Sequence, residues 1–164
     1  MTTLLPLLTF LAALGAGLNA GLFFIFSVCI MGAFARLPAE GGMAAMNAIN
    51  VVIINPWFFA AFFGTAILSL VLAIAAFWQG GPGAMLAAVA GVIFLLGTVG
   101  VTMVFNVPLN DALAASKPAS QEAAALWQRY LGTWTSWNHV RSLSSTIALG
   151  LFILAFARQV PSAG

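Results

Sequence analysis

Residues 85–105 read MLAAVAGVIFLLGTVGVTMVF, an apolar run of 21 residues without a charged side chain. At about 1.5 Å per residue, a helix of this length crosses the roughly 30 Å hydrocarbon core of a bilayer. Lipid offers no partners to backbone polar groups, so the run must be helical. Three similar runs make four in all, at residues 4–37, 51–78, 85–105 and 140–157.

The overall composition agrees with these four runs. Hydrophobic residues make up 63% of the 164, charged residues make up 5%, and the mean hydropathy is +1.10. A surface of that composition cannot face water. The sequence therefore predicts an all-α fold, a four-helix transmembrane bundle formed by a single integral membrane domain over residues 1–164.

The few charged and metal-binding side chains exclude several classes of function. The five basic residues are scattered singly, so the pI near 9.3 gives no phosphate-binding patch and no nucleic-acid partner. Cys29 is the only cysteine, which excludes an internal disulfide or thiolate cluster. A single histidine cannot form an intrachain bis-histidine haem or two-histidine metal site. We expect no bound metal.

The connections between the runs have distinct characters. Residues 42–56 are apolar but carry three asparagines, which predicts a short interfacial helix before the second span. Residues 79–83 read QGGPG and predict a tight helical hairpin. The third span should end near Pro108. An extramembrane segment over residues 106–139 follows, with a helix capped by Ser116 or Ser120 that leads into the fourth span. The basic residues of the connections predict that these face the cytoplasm.

Polar residues at membrane depth are the candidate functional groups, because each costs free energy unless it is paired or faces a cavity. In the first span, Gly15, Gly17 and Gly21 surround Asn19. Small residues of this kind let another helix approach closely, and we favour helix packing over a binding site for this group.

A second polar group lies at residues 106–111, with the sequence NVPLND. Asn106, Asn110 and Asp111 bring two carboxamides and a carboxylate close to Pro108. A capped helix end with an Asx turn and a binding site explain this group equally well.

The third group runs along the start of the fourth span. At 100° per residue its members fall within about 80° of arc. An interfacial aromatic belt with a snorkelling arginine is the alternative, but an amide and a guanidinium on one stripe favour a cavity lining. His139 lies roughly 120° from the stripe centre, and a structural role suits it best. The stripe consists of Trp127, Tyr130, Trp134, Asn138, Arg141 and Ser145.

Four blocks of sequence carry a family resemblance. They are GLFFIFSVCIMGAFARLPAEGGMAAMNAIN (21–50), NPWF (55–58), NVPLNDAL (106–113) and LWxRYxxxWTxWNHVR (126–141). In this order they resemble the anthrone oxygenase-like family of small four-helix membrane proteins over nearly the whole chain. The resemblance implies a multi-pass protein of the bacterial inner membrane. It further implies an oxidoreductase that converts an anthrone to an anthraquinone with dioxygen as co-substrate, without flavin, haem or metal.

Under that reaction, the candidate residues take three roles. His139 or Asp111 is the general base that deprotonates the substrate. Arg141, with Asn138 or Asn106, stabilises the enolate oxygen. The remaining candidates hold a flat aromatic substrate, with Trp137 the weakest because it lies about 80° from the stripe centre: Asn19, Asn110, Trp127, Tyr130, Trp134 and Trp137.

Two other functions fit the same residues. The cavity can bind or transport a lipophilic small molecule without changing it, although the sequence contains no inverted repeat. The chain can also be a structural subunit of a membrane assembly, or a homo-oligomer, with the glycines of the first span as contacts.

Overall fold

The computed structural model describes residues 4–117 and 120–160, and nearly every residue in these ranges is helical. Four helices are long and apolar enough to cross a membrane, which confirms the all-α bundle and an integral membrane protein. A shorter helix precedes the second span. The helices are α1 (Leu4–Phe34), α2 (Ala39–Val52), α3 (Pro56–Gln79), α4 (Ala84–Ala115) and α5 (Gln121–Gln159).

Side-chain caps fix where two of the helices begin. Asn55 accepts hydrogen bonds from two backbone N–H groups in the first turn of α3. Pro56 follows it at the first helical position, where a backbone donor is not needed. The hydroxyl of Ser120 accepts from the Ala123 N–H at 3.0 Å and starts α5. Ser120 is thus the cap among the two serines predicted.

A glycine-rich turn joins α3 to α4 and confirms the predicted helical hairpin. Gly80, Gly81 and Gly83 have φ values of 61°, 95° and 76°, which residues with a Cβ rarely adopt. The two helices pack closely, since a Cβ on Gly91 would overlap the backbone of Ser69. Mostly small residues form the core at this end of the bundle: Ala12, Ala13, Ala16, Leu72, Ala87, Ala90, Phe94, Ala148, Phe152 and Ala155.

The prediction that the third span ends near Pro108 is wrong, because α4 continues to Ala115. Two π-helical turns, Leu95–Gly100 and Thr102–Asn106, precede the proline. A π turn shifts the backbone hydrogen bonds to the fifth residue and widens the helix, so the ring and the missing donor of Pro108 are accommodated. Most of residues 106–139 therefore belongs to the ends of two long helices.

Helix α3 is shorter than its neighbours at the end where it begins. Asn19 of α1 donates to the Ala61 carbonyl of α3 at 3.0 Å. Because α1 and α3 run antiparallel, residue 24 of α1 is level with Pro56. Residues 25–34 thus extend about 15 Å beyond α3.

We call the part of the molecule beyond the start of α3 the cap: residues 25–34, 39–52, 106–115 and 121–138. Within the cap, helix α2 packs against the ends of α1, α4 and α5, so the predicted interfacial helix is confirmed as a helix at this end of the bundle. Its buried face contains Gly42, Met43 and Met46. A Cβ on Gly42 would overlap the ring of Trp127, which shows how closely α2 packs on α5.

The exposed basic side chains are concentrated at the cap. Arg129 is exposed in the cap, Arg36 and Lys117 are exposed in the connections at the same end, and Arg158 is exposed at the opposite end. Arg141 is buried and does not contribute to the surface charge. Three of the four exposed basic residues thus lie at the cap end of the bundle.

Candidate functional site

The aromatic and polar stripe predicted on the fourth span is one buried face of α5. Because α5 is an uninterrupted α-helix from Gln121 to Gln159, the 100° periodicity holds along the whole stripe. Its six side chains are all buried. At the inner end, the hydroxyls of Ser145 and Thr98 form a hydrogen bond of 2.9 Å that joins α5 to α4.

Three rings of this face form a stacked column. The ring centroids of Trp127 and Tyr130 are 5.6 Å apart, and those of Tyr130 and Trp134 are 5.7 Å apart. Asn110 of α4 fixes the column, because its Oδ1 accepts from the Tyr130 hydroxyl at 2.6 Å and from Trp134 Nε1 at 2.8 Å. The polar tips of two buried rings are thereby satisfied.

Arg141 is buried at 5% exposure beside this column. Its guanidinium donates to Asn138 Oδ1 at 2.7 Å and to Thr102 Oγ1 at 3.4 Å. The guanidinium carbon lies 4.4 Å from the ring centroid of Phe23 and 4.9 Å from that of Trp134. Within residues 4–117 and 120–160, no carboxylate lies at salt-bridge distance from it, and Nε has no partner. Aromatic faces and an amide thus stabilise the cation, and its charge is not neutralised.

Asn138 links Arg141 to α1. Its Nδ2 donates to the Phe23 carbonyl and to the Ser27 hydroxyl, both at 2.7 Å. A π turn, Phe26–Ile30, interrupts the regular α-helical hydrogen bonding of α1 at this level. Asn138 therefore uses its donors to hold α1 and its acceptor to orient the guanidinium.

A cavity of about 570 Å³ lies between the cap and the core of small residues, within the range of roughly 300–1,000 Å³ typical of small-molecule sites. Arg141 and Trp134 form part of its wall. Most of the other lining residues are apolar, and the polar ones include Asn47 and Asn50 of α2. The other lining residues are Leu22, Phe23, Phe26, Met46, Asn47, Ile49, Asn50, Val51, Ile53, Ile54, Phe58, Phe59, Phe62, Phe63, Thr102, Met103, Val107, Asn110, Asp111 and Ala114.

The cavity is open to the surface of the bundle. Helix α3 packs along α4 up to the first π turn of α4, Leu95–Gly100. Beyond that turn, Phe59 and Phe63 of α3 and Met103 of α4 line the cavity and are exposed on the outer surface of the bundle. Four further lining residues are also exposed: Val51, Ile54, Asp111 and Ala114.

The structure brings together only some of the candidate site residues. Arg141, Trp134, Asn110 and Asp111 line the cavity, with the exposed Asp111 at its edge. Four others do not line the cavity but support its wall. Asn106 does so through a hydrogen bond of 3.1 Å from its Nδ2 to the Trp134 carbonyl. The other three are Trp127, Tyr130 and Asn138.

Three further candidates lie away from the cavity. Asn19 donates to the carbonyls of Gly15 at 2.8 Å and of Ala61 in α3, as the packing interpretation expects. The ring of Trp137 stacks on that of Phe105 with centroids 3.7 Å apart. His139 is exposed and does not line the cavity.

Sequence reasoning missed the contributions of α2 and α3. Asn47 and Asn50 are spaced i,i+3, so they share one face of α2, but they were interpreted only as signs of an interfacial helix. The pairs Phe58–Phe59 and Phe62–Phe63 repeat every four residues and form an aromatic face at the start of α3. This repeat is the sequence signal from which the contribution of α3 to the cavity lining could be predicted.

A family model described as Anthrone oxygenase matches residues 57–151, which is more than half of the chain. The chain belongs to the anthrone oxygenase family. The match contains the cavity residues of α3, α4 and α5 and leaves out α1 and α2. No curated protein and no solved structure matches this anthrone oxygenase family member. Its described residues contain no group of three or more His, Cys, Asp and Glu that can hold a metal ion.

Proposed function

We propose that this chain is an integral membrane oxygenase that oxidises an anthrone-like or other flat phenolic or polycyclic substrate with dioxygen, without an organic cofactor. The observation that carries the proposal is Arg141, a buried guanidinium on the wall of a cavity lined by aromatic rings, with no carboxylate partner within residues 4–117 and 120–160. A buried charge of this kind in a membrane protein suits a ligand that develops negative charge.

The chemistry of an anthrone fits such a site. Its methylene is acidic because the resulting carbanion is delocalised onto the carbonyl oxygen as an enolate. The enolate transfers electrons to dioxygen and forms a carbon–oxygen bond at the former methylene, which gives a hydroperoxide after protonation. Loss of water then leaves a second carbonyl. One dioxygen is consumed per anthrone, with one oxygen atom retained in the anthraquinone and the other released as water.

Arg141 stabilises the enolate oxygen in this proposal. Its Nε and the guanidinium N–H groups that do not bond to Asn138 or Thr102 are available as donors to an oxyanion. Asp111 is the favoured general base, because it lines the cavity whereas His139 does not. The rings of Phe58, Phe62 and Trp134 supply flat apolar surfaces for the substrate.

The site lies at the same end of the bundle as three of the four exposed basic residues. Their distribution therefore indicates on which side of the membrane the site lies. By the positive-inside rule the cap lies in the cytoplasm, so the bundle spans the inner membrane of a bacterium with the exposed Phe59, Phe63 and Met103 of the cavity facing lipid. The lipid bilayer and a lipophilic aromatic molecule are the partners that this arrangement requires.

The test compares Arg141→Gln with the wild type in proteoliposomes, by anthraquinone absorbance and dioxygen uptake above the spontaneous rate. We expect the rate to fall by about 10²- to 10³-fold, the usual loss for one oxyanion donor. Arg158→Gln, at the exposed far end of the same helix, is the matched control and should retain the wild-type rate. Monodisperse elution of both variants excludes misfolding as the cause.

Full activity of Arg141→Gln would overturn the oxyanion role. A wild-type protein that retains the anthrone without converting it would instead support the binding or transport function.

A further inference from the structure

The inner face of α2 carries two asparagines that the oxidation chemistry above does not use. Asn47 and Asn50 lie one turn apart, and both line the cavity. Among the residues that the structure describes, neither Asn47 Oδ1, a buried acceptor, nor Asn50 Nδ2, a buried donor, has a hydrogen-bond partner. Buried polar atoms of this kind cost free energy unless a ligand or water satisfies them. The pair thus offers one free acceptor and one free donor to an occupant of the cavity.

The asparagine pair and Arg141 lie at different points along the stacked column. Asn50 lies close to the Tyr130 hydroxyl without forming a hydrogen bond of good geometry with it. The hydroxyl of Tyr130 donates instead to Asn110. The Arg141 guanidinium lies over the ring of Trp134, the next member of the column. The centroids of the Tyr130 and Trp134 rings are 5.7 Å apart, a separation that a flat molecule of three fused rings can span.

The free atoms of the pair match a neutral hydroxyl group. A hydroxyl can donate to Asn47 Oδ1 and accept from Asn50 Nδ2 at the same time. A carboxylate at this point would be repelled by Asn47 Oδ1, and Asp111 adds a negative charge to the lining of the same cavity. An alkyl group would leave both asparagine atoms unsatisfied.

We propose that Asn47 and Asn50 form a subsite for a hydroxyl on the substrate, at a position remote from the enolate oxygen that Arg141 binds. The subsite rests on the proposed function only in taking a flat aromatic ligand, and it determines which aromatic ligands bind. It requires α2, which lies outside residues 57–151 that match the family model.

Binding of two unreactive ligands tests the subsite. Affinities of anthraquinone and of a dihydroxyanthraquinone are measured by quenching of tryptophan fluorescence in nanodiscs. We expect the wild type to prefer the dihydroxy ligand by about 10- to 100-fold, and Asn47→Leu or Asn50→Leu to reduce the preference to about threefold or less. Affinity for plain anthraquinone should stay within about twofold. Ala48→Leu, on the exposed face of α2, is the control and should keep the preference.

Several results would overturn the subsite: no binding by the wild type, an unchanged preference in the leucine variants, or equal loss of affinity for both ligands. Asn47→Ala and Asn50→Ala replace the leucine variants if these do not purify as monodisperse protein. Failure of the proposed function is separate, since it shows as absent anthrone oxidation while the binding preference and its loss remain.

Discussion

The guanidinium carbon of Arg141 lies 4.4 Å from the ring centroid of Phe23, so a cation from α5 rests on an aromatic face from α1. Among the residues that the structure describes, Arg141 is the one buried basic side chain. Its charge interacts with ring quadrupoles and amide dipoles rather than with a carboxylate. Arg141, which we propose binds the enolate oxygen of the substrate, therefore also connects α5 to α1.

Replacing Phe23 with leucine should weaken this contact while keeping the position apolar. We expect Phe23→Leu to lower the free energy of unfolding by about 1–2 kcal/mol, since a desolvated cation–π contact is lost. The neighbouring Phe24 is 57% exposed on the bundle surface, and Phe24→Leu is the matched control. Thermal unfolding in one detergent measures both variants, and equal melting temperatures would argue against a stabilising role of the Phe23 ring.

The two candidates for the general base can be separated by conservative substitutions. Asp111→Asn should lower the rate of anthrone oxidation by about 10²-fold or more, because the side chain can no longer accept the proton. His139→Gln should keep the rate within about twofold, because His139 is exposed and away from the cavity. Initial rates in proteoliposomes provide the measurement. The opposite pattern would assign the base to His139 and require access to it from the outer surface.

The contact between α1 and α3 predicts that alanine substitutions at two glycines of α1 differ in their effect on stability. A Cβ on Gly15 would overlap Thr65 Oγ1, whereas a Cβ on Gly21 would meet nothing within 4 Å. We expect Gly15→Ala to destabilise the bundle by about 1–3 kcal/mol and Gly21→Ala to change its stability by about 0.5 kcal/mol or less.

Thr65→Ala tests the cause of the Gly15 effect. It removes the overlapping hydroxyl, so the double variant Gly15→Ala/Thr65→Ala should recover part of the lost stability beyond the sum of the single changes. Unfolding of the four proteins in the same detergent gives this coupling, and strict additivity would contradict an overlap between the alanine methyl group and the threonine hydroxyl.

Asn110 should stabilise the fold, because its Oδ1 accepts hydrogen bonds from Tyr130 and Trp134. Asn110→Leu leaves the Tyr130 hydroxyl and Trp134 Nε1 buried without a partner, and we expect a loss of about 2–4 kcal/mol in unfolding free energy. Asn110→Asp keeps the acceptor and should lose less. Thermal unfolding followed by near-ultraviolet circular dichroism detects both the stability and the order of the rings. A leucine variant as stable as the aspartate variant would count against this role.

The sequence predicted the helical parts of the site well wherever the helix is regular. The six stripe residues between Trp127 and Ser145 share a buried face because α5 keeps its 100° period throughout. The same periodicity put His139 on another face and Trp137 at the margin of the stripe, and the structure agrees with both positions. Packing around Asn19 was also predicted, because flanking glycines have few other uses in a transmembrane helix.

Other features depend on contacts that periodicity does not encode. The π turns of α4 let the helix pass Pro108, whereas the sequence alone favoured an end there. Asn47 and Asn50 line the cavity because α2 packs against the ends of α1, α4 and α5, where Gly42 fits closely against Trp127. An isolated amphipathic helix does not reveal what it will cover.

Phe59, Phe63 and Met103 line the cavity and are exposed on the outer surface of the transmembrane helices, which has a consequence for how any ligand is supplied. A molecule that enters beside these side chains has already partitioned into the bilayer, where an apolar aromatic compound is far more concentrated than in water. The amount of lipid in an assay then sets the saturation of the site: adding empty vesicles dilutes the substrate in two dimensions and raises the apparent KM. Aqueous solubility places no upper limit on the hydrophobicity of the compounds that the cavity can receive.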